Sequence, residues 1–264
     1  MISPDTHFLM TNANDTNDPV VVCLDPAYQA QALALSRQLN FPLYHTPQTH
    51  TCQCLVSSAG LALCLPNQPL SHALIVDFVG GKAGFRRRAG GKELLIQAVG
   101  LKPHRPLRIL DATAGLGRDS FVLAAHGAQV TACERHPLLA ALLADALTRA
   151  RADAQTAPIA AAISLHVGEA KNQFSTGFDV IYLDPMFPER QKSAAVKKDL
   201  QVLQMLLTDA PVQDEADLLA QALIYAKRVV VKRPRHAPRL GNLPCSGSIE
   251  GNSTRFDLYA GQWR

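Results

Sequence analysis

Apolar positions along the chain follow two regimes. Near the start, Val20–Leu24 is a short unbroken apolar run and predicts a buried strand. Ala27–Leu39 then alternates apolar and polar residues at helical spacing. Leu55–Val56 and Leu61–Leu65 flank Ser-Ser-Ala-Gly, the signature of a hairpin. This stretch, to about residue 75, predicts a small α+β lobe.

Beyond Asp77–Lys92, a segment rich in Gly, Arg and Lys, the pattern becomes regular. Strands are predicted at Leu107–Leu110, Gln129–Cys133, Ile163–Val167, Val180–Leu183 and Val229–Val231. Helices are predicted at Asp119–His126, Pro137–Arg149, Lys192–Leu207 and Glu215–Ala226. Pro137 suits the first helical position, where its missing N–H is harmless. Ser246–Ile249 and Arg255–Tyr259 flank Glu-Gly-Asn-Ser and predict a closing hairpin. Strands alternating with helices give a mostly parallel sheet covered on both faces. With the hairpin added, the expected class is α/β, a Rossmann-like seven-stranded sheet with a C-terminal antiparallel hairpin. The expected division is a tail over residues 1–18, the small lobe over 19–75 and the large domain over 76–264.

The polar run in MISPDTHFLMTNANDTNDP reads as an unstructured tail, with neither a basic leader nor an apolar signal core. No apolar run approaches the ~20 residues of a membrane span. These features predict a cytoplasmic protein. Apolar residues at 47 % are ordinary for a globular core, and a net charge of +4 permits a nucleic-acid partner without requiring one. Six cysteines are scattered. Cys52 and Cys54 stand one residue apart, which is not a zinc-site spacing, and read as reduced thiols.

The first strand of the regular region runs into Asp111-Ala-Thr-Ala-Gly-Leu-Gly117-Arg-Asp119. In a doubly wound sheet, ligands bind at the carboxyl ends of strands, near the reversal of strand order. Gly115 and Gly117 let the backbone turn sharply and lie close to a ligand. Glu134 closes the second strand, where an acid can accept both hydroxyls of an adenosine ribose. A dinucleotide site would place a third Gly or Ala where Ser120 stands. It would also want bare helix N–H groups for the pyrophosphate, whereas Asp119 would repel one. Asp111 and Asp119 suit an ammonium instead, and Asp119 could also cap its helix.

The fourth strand runs into Tyr182-Leu-Asp-Pro-Met-Phe-Pro188. An exocyclic amine on a base is a poor nucleophile because the ring delocalises its lone pair. The Asp184 carboxylate and the Pro185 carbonyl can accept its two hydrogens, orienting the nitrogen and favouring its tetrahedral form. Proline also stiffens the loop. Phe187 can stack on the flat base. Arg86, Arg87, Arg88 and Lys92 precede the fold, and Lys192, Lys197 and Lys198 follow this loop. Lys227, Arg228, Lys232, Arg233, Arg235 and Arg239 bracket the fifth strand. Several of these fall beside strand carboxyl ends, where phosphate contacts would supply affinity.

Together these segments resemble the RsmJ family of bacterial 16S ribosomal RNA guanine-N2 methyltransferases. The resemblance is carried by Asp77-Phe-Val-Gly-Gly, Arg86-Arg-Arg, Asp111-Ala-Thr-Ala-Gly-Leu-Gly-Arg-Asp, Glu134-Arg135, Tyr182-Leu-Asp-Pro-Met-Phe-Pro, Lys192-Ser, Val196-Lys-Lys and Val229-Val-Val-Lys-Arg-Pro. It runs from about residue 75 to the end, and the lobe before it matches only loosely. The resemblance implies S-adenosylmethionine as cofactor, held by Arg118 and Asp119, Glu134 and Arg135, and Asp184. Gly168 and Glu169 fall where the family holds the adenine end, although small hydroxyl residues are commoner there. The implied partner is 16S rRNA or the small ribosomal subunit, for which the clustered Arg86–Arg88, Lys192, Lys197, Lys198, Lys232 and Arg233 are the candidate contacts. A metal is not required, since the sulfonium is already activated. Amino-methylation of adenine or cytosine in DNA, and a non-catalytic role in ribosome assembly, remain the alternatives at this point.

Overall fold

The computed structural model describes residues 18–80, 94–185 and 215–263. Two compact units make up the chain. One comprises Met1–Ser58 with Cys64–Ala73, the other Ala59–Leu63 with Leu74–Arg264.

In the first unit, β1 (Val20–Cys23) is buried along its whole length, as its three successive valines demand. It pairs in parallel with β2 (Leu43–Tyr44) and β3 (Gln53–Ser57). Helix α1 (Gln29–Leu39) ends at Asn40, whose φ of 56° is the left-handed conformation Asn tolerates at a helix terminus. Strand β4 (Gly60–Cys64), which but for Cys64 belongs to the second unit, pairs antiparallel with β5 (Leu74–Ile75) of that unit. Cys23, Cys52, Cys54, Cys64 and Cys133 are buried, unbridged thiols. Burial pushes Cys52 up to about 12.

The second unit carries a seven-stranded sheet in the order β11-β12-β10-β9-β6-β7-β8. Its strands are β6 (Arg108–Asp111), β7 (Gln129–Glu134), β8 (Ile163–Val167), β9 (Phe178–Leu183), β10 (Ala226–Pro234), β11 (Gly247–Glu250) and β12 (Thr254–Ala260). Five run parallel, and β11 and β12 form the antiparallel hairpin. The described helices are α2 (Leu94–Val99), α3 (Arg118–Ala125), α4 (Pro137–Ala152), α5 (Ala157–Ala161) and α6 (Glu215–Tyr225). Pro137 opens α4, a helix of mostly Leu and Ala that buries nine residues. On the other side, Leu110, Ile181, Leu183, Val229 and Val231 meet Leu219 and Ala222 of α6 in a core cluster.

The Rossmann-like architecture expected from the alternation is therefore present. The helix expected at Lys192–Leu207 lies outside the described residues. Helix α5, five residues long, escapes the periodicity because it is too short to display it, and α2 adjoins residues outside the described ones. Strand β10 is much longer than its three valines. Antiparallel pairing with β12 runs from Arg228 opposite Ala260 to Pro234 opposite Thr254. Lys227, Arg228, Lys232 and Arg233 thus lie within the strand rather than bracketing it.

From β6 the chain steps outward through β7 to β8, then returns to lay β9 on the other side of β6. Strand order reverses between β6 and β9, so the crevice for a ligand opens there. Asp111 pairs with Tyr182 in that register.

Candidate active site

The loop leaving β6 is shaped from within. Asp111 is only 1 % exposed. It accepts the Ser120 hydroxyl at 2.5 Å and the Thr113 amide at 3.3 Å. Burial raises its carboxyl to about 7, against the lowering by these bonds. Asp111 therefore braces the loop against α3 rather than facing an open crevice. Ser120, which breaks the dinucleotide pattern, is the residue that satisfies it.

Gly115 and Gly117 both adopt positive φ, 53° and 69°. A Cβ on Gly115 would meet no heavy atom within 4 Å, so the backbone there faces open space. A Cβ on Gly117 would strike Leu143 Cδ1 at 2.3 Å. Gly117 occupies the N-cap position of α3, and Asp119 stands in the first turn. Asp119 is thus not the cap. Its carboxylate turns to the sheet, where Tyr182 donates to it at 2.7 Å and the Lys232 ammonium at 2.8 Å.

Glu134 ends β7 and is 7 % exposed. Its two carboxylate oxygens accept the Gly115 amide at 2.8 Å and the His136 amide at 2.7 Å. The residue thereby ties the glycine loop to the end of the neighbouring strand. Burial raises its carboxyl above the usual range, and the two amides oppose that rise. Beyond Glu134, Arg135 and Glu169 lie 3.7 Å apart, linking the ends of β7 and β8. Gly168 donates its amide to the Glu134 carbonyl at 2.9 Å. Arg118 is exposed at the start of α3.

Asp184 and Pro185 follow β9 directly, both half-buried. The Asp184 amide donates to Thr113 Oγ1 at 2.6 Å, joining the loop after β9 to the loop after β6. The Asp184 carboxylate accepts Lys232 Nζ at 2.7 Å. Lys232 comes to this place through register. Val231 lies opposite Leu183 in the parallel β9–β10 pair, which sets Lys232 beside Asp184. Two carboxylates hold its ammonium above the ordinary lysine range despite burial.

The structure thus brings Asp111, Gly115, Gly117, Asp119, Glu134 and Asp184 to adjacent strand ends. Phe187, Arg86–Arg88, Lys192, Lys197 and Lys198 lie outside the described residues. Lys232, expected at RNA phosphates, instead faces Asp119 and Asp184. Arg233 is 5 % exposed, with Glu215 3.6 Å from its guanidinium, so it is turned inward too. Lys227 and Arg228 sit at the amino end of β10, away from these loops. Lys227 contacts Asp179 at 3.0 Å, and Arg228 donates to the Ala98 carbonyl at 3.3 Å. The sequence pattern does not mark Thr113 or Ser120 as site residues, whereas Tyr182 carries a local signal, standing two residues before Asp184 near the end of β9.

The donor set suits a ligand carrying a cation and a diol. Acidic groups converge at the ends of β7 and β9, where both Glu134 oxygens and Asp184 Oδ1 keep lone pairs to offer. The open space over Gly115 lets such a ligand touch backbone. Among the described residues, no group of three His, Cys, Asp or Glu is placed to hold a metal ion.

Comparison with known proteins agrees with this geometry. The SAM_MT family model, which describes S-adenosylmethionine-dependent methyltransferases, matches residues 34–261. The chain is 51 % identical over 191 residues to ribosomal RNA small subunit methyltransferase J of Hahella chejuensis, covering 71 % of this chain and 72 % of that one. To the protein of the same name from Marinobacter nauticus it is 39 % identical, covering 98 % of both. A crystal structure of an S-adenosylmethionine-dependent methyltransferase from Neisseria gonorrhoeae superposes with a TM-score of 0.72 at 36 % identity. The match covers 92 % of this chain and 96 % of that one.

Proposed function

The chain belongs to the S-adenosylmethionine-dependent methyltransferases of the ribosomal RNA small subunit methyltransferase J family, and we propose that it methylates the N2 amine of a guanine in 16S rRNA. Residues 76–264 form the methyltransferase domain in this reading, and an rRNA substrate supports a cytoplasmic location. Among the described residues, no helix is long and apolar enough to cross a membrane.

The observation that carries the reading is Asp184-Pro185 at the end of β9, anchored by Thr113 beside the glycine loop. S-adenosylmethionine, when bound, supplies a methyl group already activated on a sulfonium, so the transfer needs no metal. Glu134 would take the ribose hydroxyls through its remaining lone pairs, and Arg135, Gly168 and Glu169 would border the adenine. Gly115 leaves room for the methionine part, with Arg118, Gly117, Asp111 and Asp119 shaping that end.

Asp184 and Pro185 accept the two hydrogens of the guanine amine and aim its lone pair at the methyl group. As the N–C bond formed, the S–C bond would break, S-adenosylhomocysteine would leave as the neutral thioether, and the surplus amine proton would pass through Asp184 to solvent. Phe187 is assigned to stack on the base, which must then be unpaired or flipped out of its helix. Arg86–Arg88, Lys192, Lys197 and Lys198 are assigned to phosphates.

The test supplies labelled S-adenosylmethionine with 16S rRNA lacking the modification, and separately with duplex DNA. Label should enter the RNA alone, and digestion with mass spectrometry should place it on N2 of guanine. Asp184→Ala should lose at least 100-fold in kcat with an unchanged melt, and Asp184→Asn less. Transfer to DNA, or undiminished turnover by Asp184→Ala, would refute the reading.

A further inference from the structure

Lys232 is the described cation that bridges the cofactor loop to the catalytic loop. Its Nζ lies 2.8 Å from Asp119 Oδ2 and 2.7 Å from Asp184 Oδ2, while the Tyr182 hydroxyl holds Asp119 from the sheet side at 2.7 Å. An exposed lysine that meets phosphate would leave its ammonium free to move. Here two bonds fix it between carboxylates on different elements.

We propose that Lys232 is a positioning residue for the amino-methylation, holding the Asp184 carboxylate in one orientation and locking it to Asp119 on the cofactor side. The inference rests on the role assigned to Asp184 above. The ammonium takes Asp184 Oδ2 and leaves Oδ1 for the amine of the base. Burial pushes the Asp184 carboxyl above its ordinary value, and the Lys232 ammonium at hydrogen-bond distance opposes that rise, favouring the ionised form that accepts an N–H bond best. Among the described residues, the other groups facing this point are Asp111 from β6, Asp119 from α3, Tyr182 from β9 and Arg233 from β10. Three of them are carboxylates or a phenol, and without Lys232 the two carboxylates would repel each other. Asp184 would then hold its proton to higher pH and swing away from Asp119.

The experiment compares Lys232→Met, Lys232→Gln and Lys232→Arg with the parent and with Asp184→Ala. Readouts are kcat and KM for 16S rRNA across pH, S-adenosylmethionine affinity by calorimetry, and the melt. Lys232→Met should lower kcat at pH 7 by 30-fold or more while KM for RNA changes less than threefold. The acidic limb of its pH–rate profile should move to higher pH, and Lys232→Arg should recover much of the loss. Should Lys232→Met not fold, Lys232→Gln and Lys232→Arg carry the same comparison. Full kcat with raised KM and a shallower salt dependence of RNA binding would make Lys232 a phosphate contact and overturn the proposal. So would a lowered melt with unmoved kcat and pH limb, the mark of a purely structural role. If Asp184→Ala itself retains turnover, the reading of Asp184 fails instead.

Discussion

Gly115 and Gly117 share one loop and the same backbone region, yet replacement should affect them differently. Alanine at either position suffers the left-handed conformation, about 1 kcal/mol. At Gly117 the added methyl must also displace Leu143, whose Cδ1 lies 2.3 Å from the new atom. Overpacking of that kind costs about 1–3 kcal/mol more. Gly117→Ala should therefore lower stability by about 2–4 kcal/mol and Gly115→Ala by about 1, read from urea unfolding. Gly115→Ala should show its larger effect on S-adenosylmethionine affinity, because its methyl fills the open space where the ligand is placed. Glu134 acts at the same scale. Glu134→Ala should weaken S-adenosylmethionine by more than ~1.5 kcal/mol, through lost charge-assisted bonds to the ribose and lost support of the Gly115 amide. Calorimetric titration reads it directly, and Glu134→Gln, which keeps an oxygen acceptor, should fall between.

At the scale of elements, a buried ion pair on β12 pins the hairpin β11–β12. Asp257 is fully buried on β12 and takes the Arg255 guanidinium at 2.7 and 2.9 Å. The same guanidinium donates to the carbonyls of Arg235 and Ala237, fastening the loop that follows β10. Removing one partner of a buried pair strands the other and costs about 3–5 kcal/mol. Asp257→Ala should thus be strongly destabilising in a chemical melt. Asp257→Asn, isosteric and still an acceptor, should cost less. Strand β10 connects this hairpin to the site, because Lys232 lies opposite Phe256, between the partners of Arg255 and Asp257. Activity per folded molecule should consequently fall in Asp257→Ala as well as stability.

For the whole molecule, the buried acid at the end of β6 gives stability a definite pH dependence. The Asp111 carboxyl rises from an ordinary value of about 3.9 to about 7 on folding. The folded state binds that proton more tightly than the unfolded chain. Its stabilising contribution is complete below about pH 4 and is lost as pH climbs through about 7. Glu134, also raised, acts in the same direction, whereas His136, lowered by burial, favours stability at higher pH. Asp111→Asn removes only the first of these. Measured by urea unfolding from pH 4 to 8, the variant should gain on the parent as pH rises, by at most about 1.4 kcal/mol per unit. A constant difference across that range would show that Asp111 does not titrate on folding.

The order of strands and helices from Leu107 onward was legible in the residues because each element announces itself locally. Val229-Val-Val can only be a buried strand, and Asp111–Asp119 can only be a turn between a strand and a helix. The chemistry at Asp184-Pro185 was legible for the same reason, since neighbouring groups on one short loop suffice to state it. Partnership across the sheet was not. Lys232 and Arg233 look like surface charges in a basic stretch. The parallel register of β10 on β9 sets Lys232 beside Asp184, and the turn of α3 brings Asp119 to it. Asp111 looks like an acid at a crevice, yet Ser120 from the following helix seals it inside. Sequence determined which residues each element offers, through periods of two and 3.6 that any window of ten residues displays. Only the tertiary structure decided which charges meet. That depends on register between strands more than forty residues apart, where a shift of one residue would turn Lys232 to the opposite face.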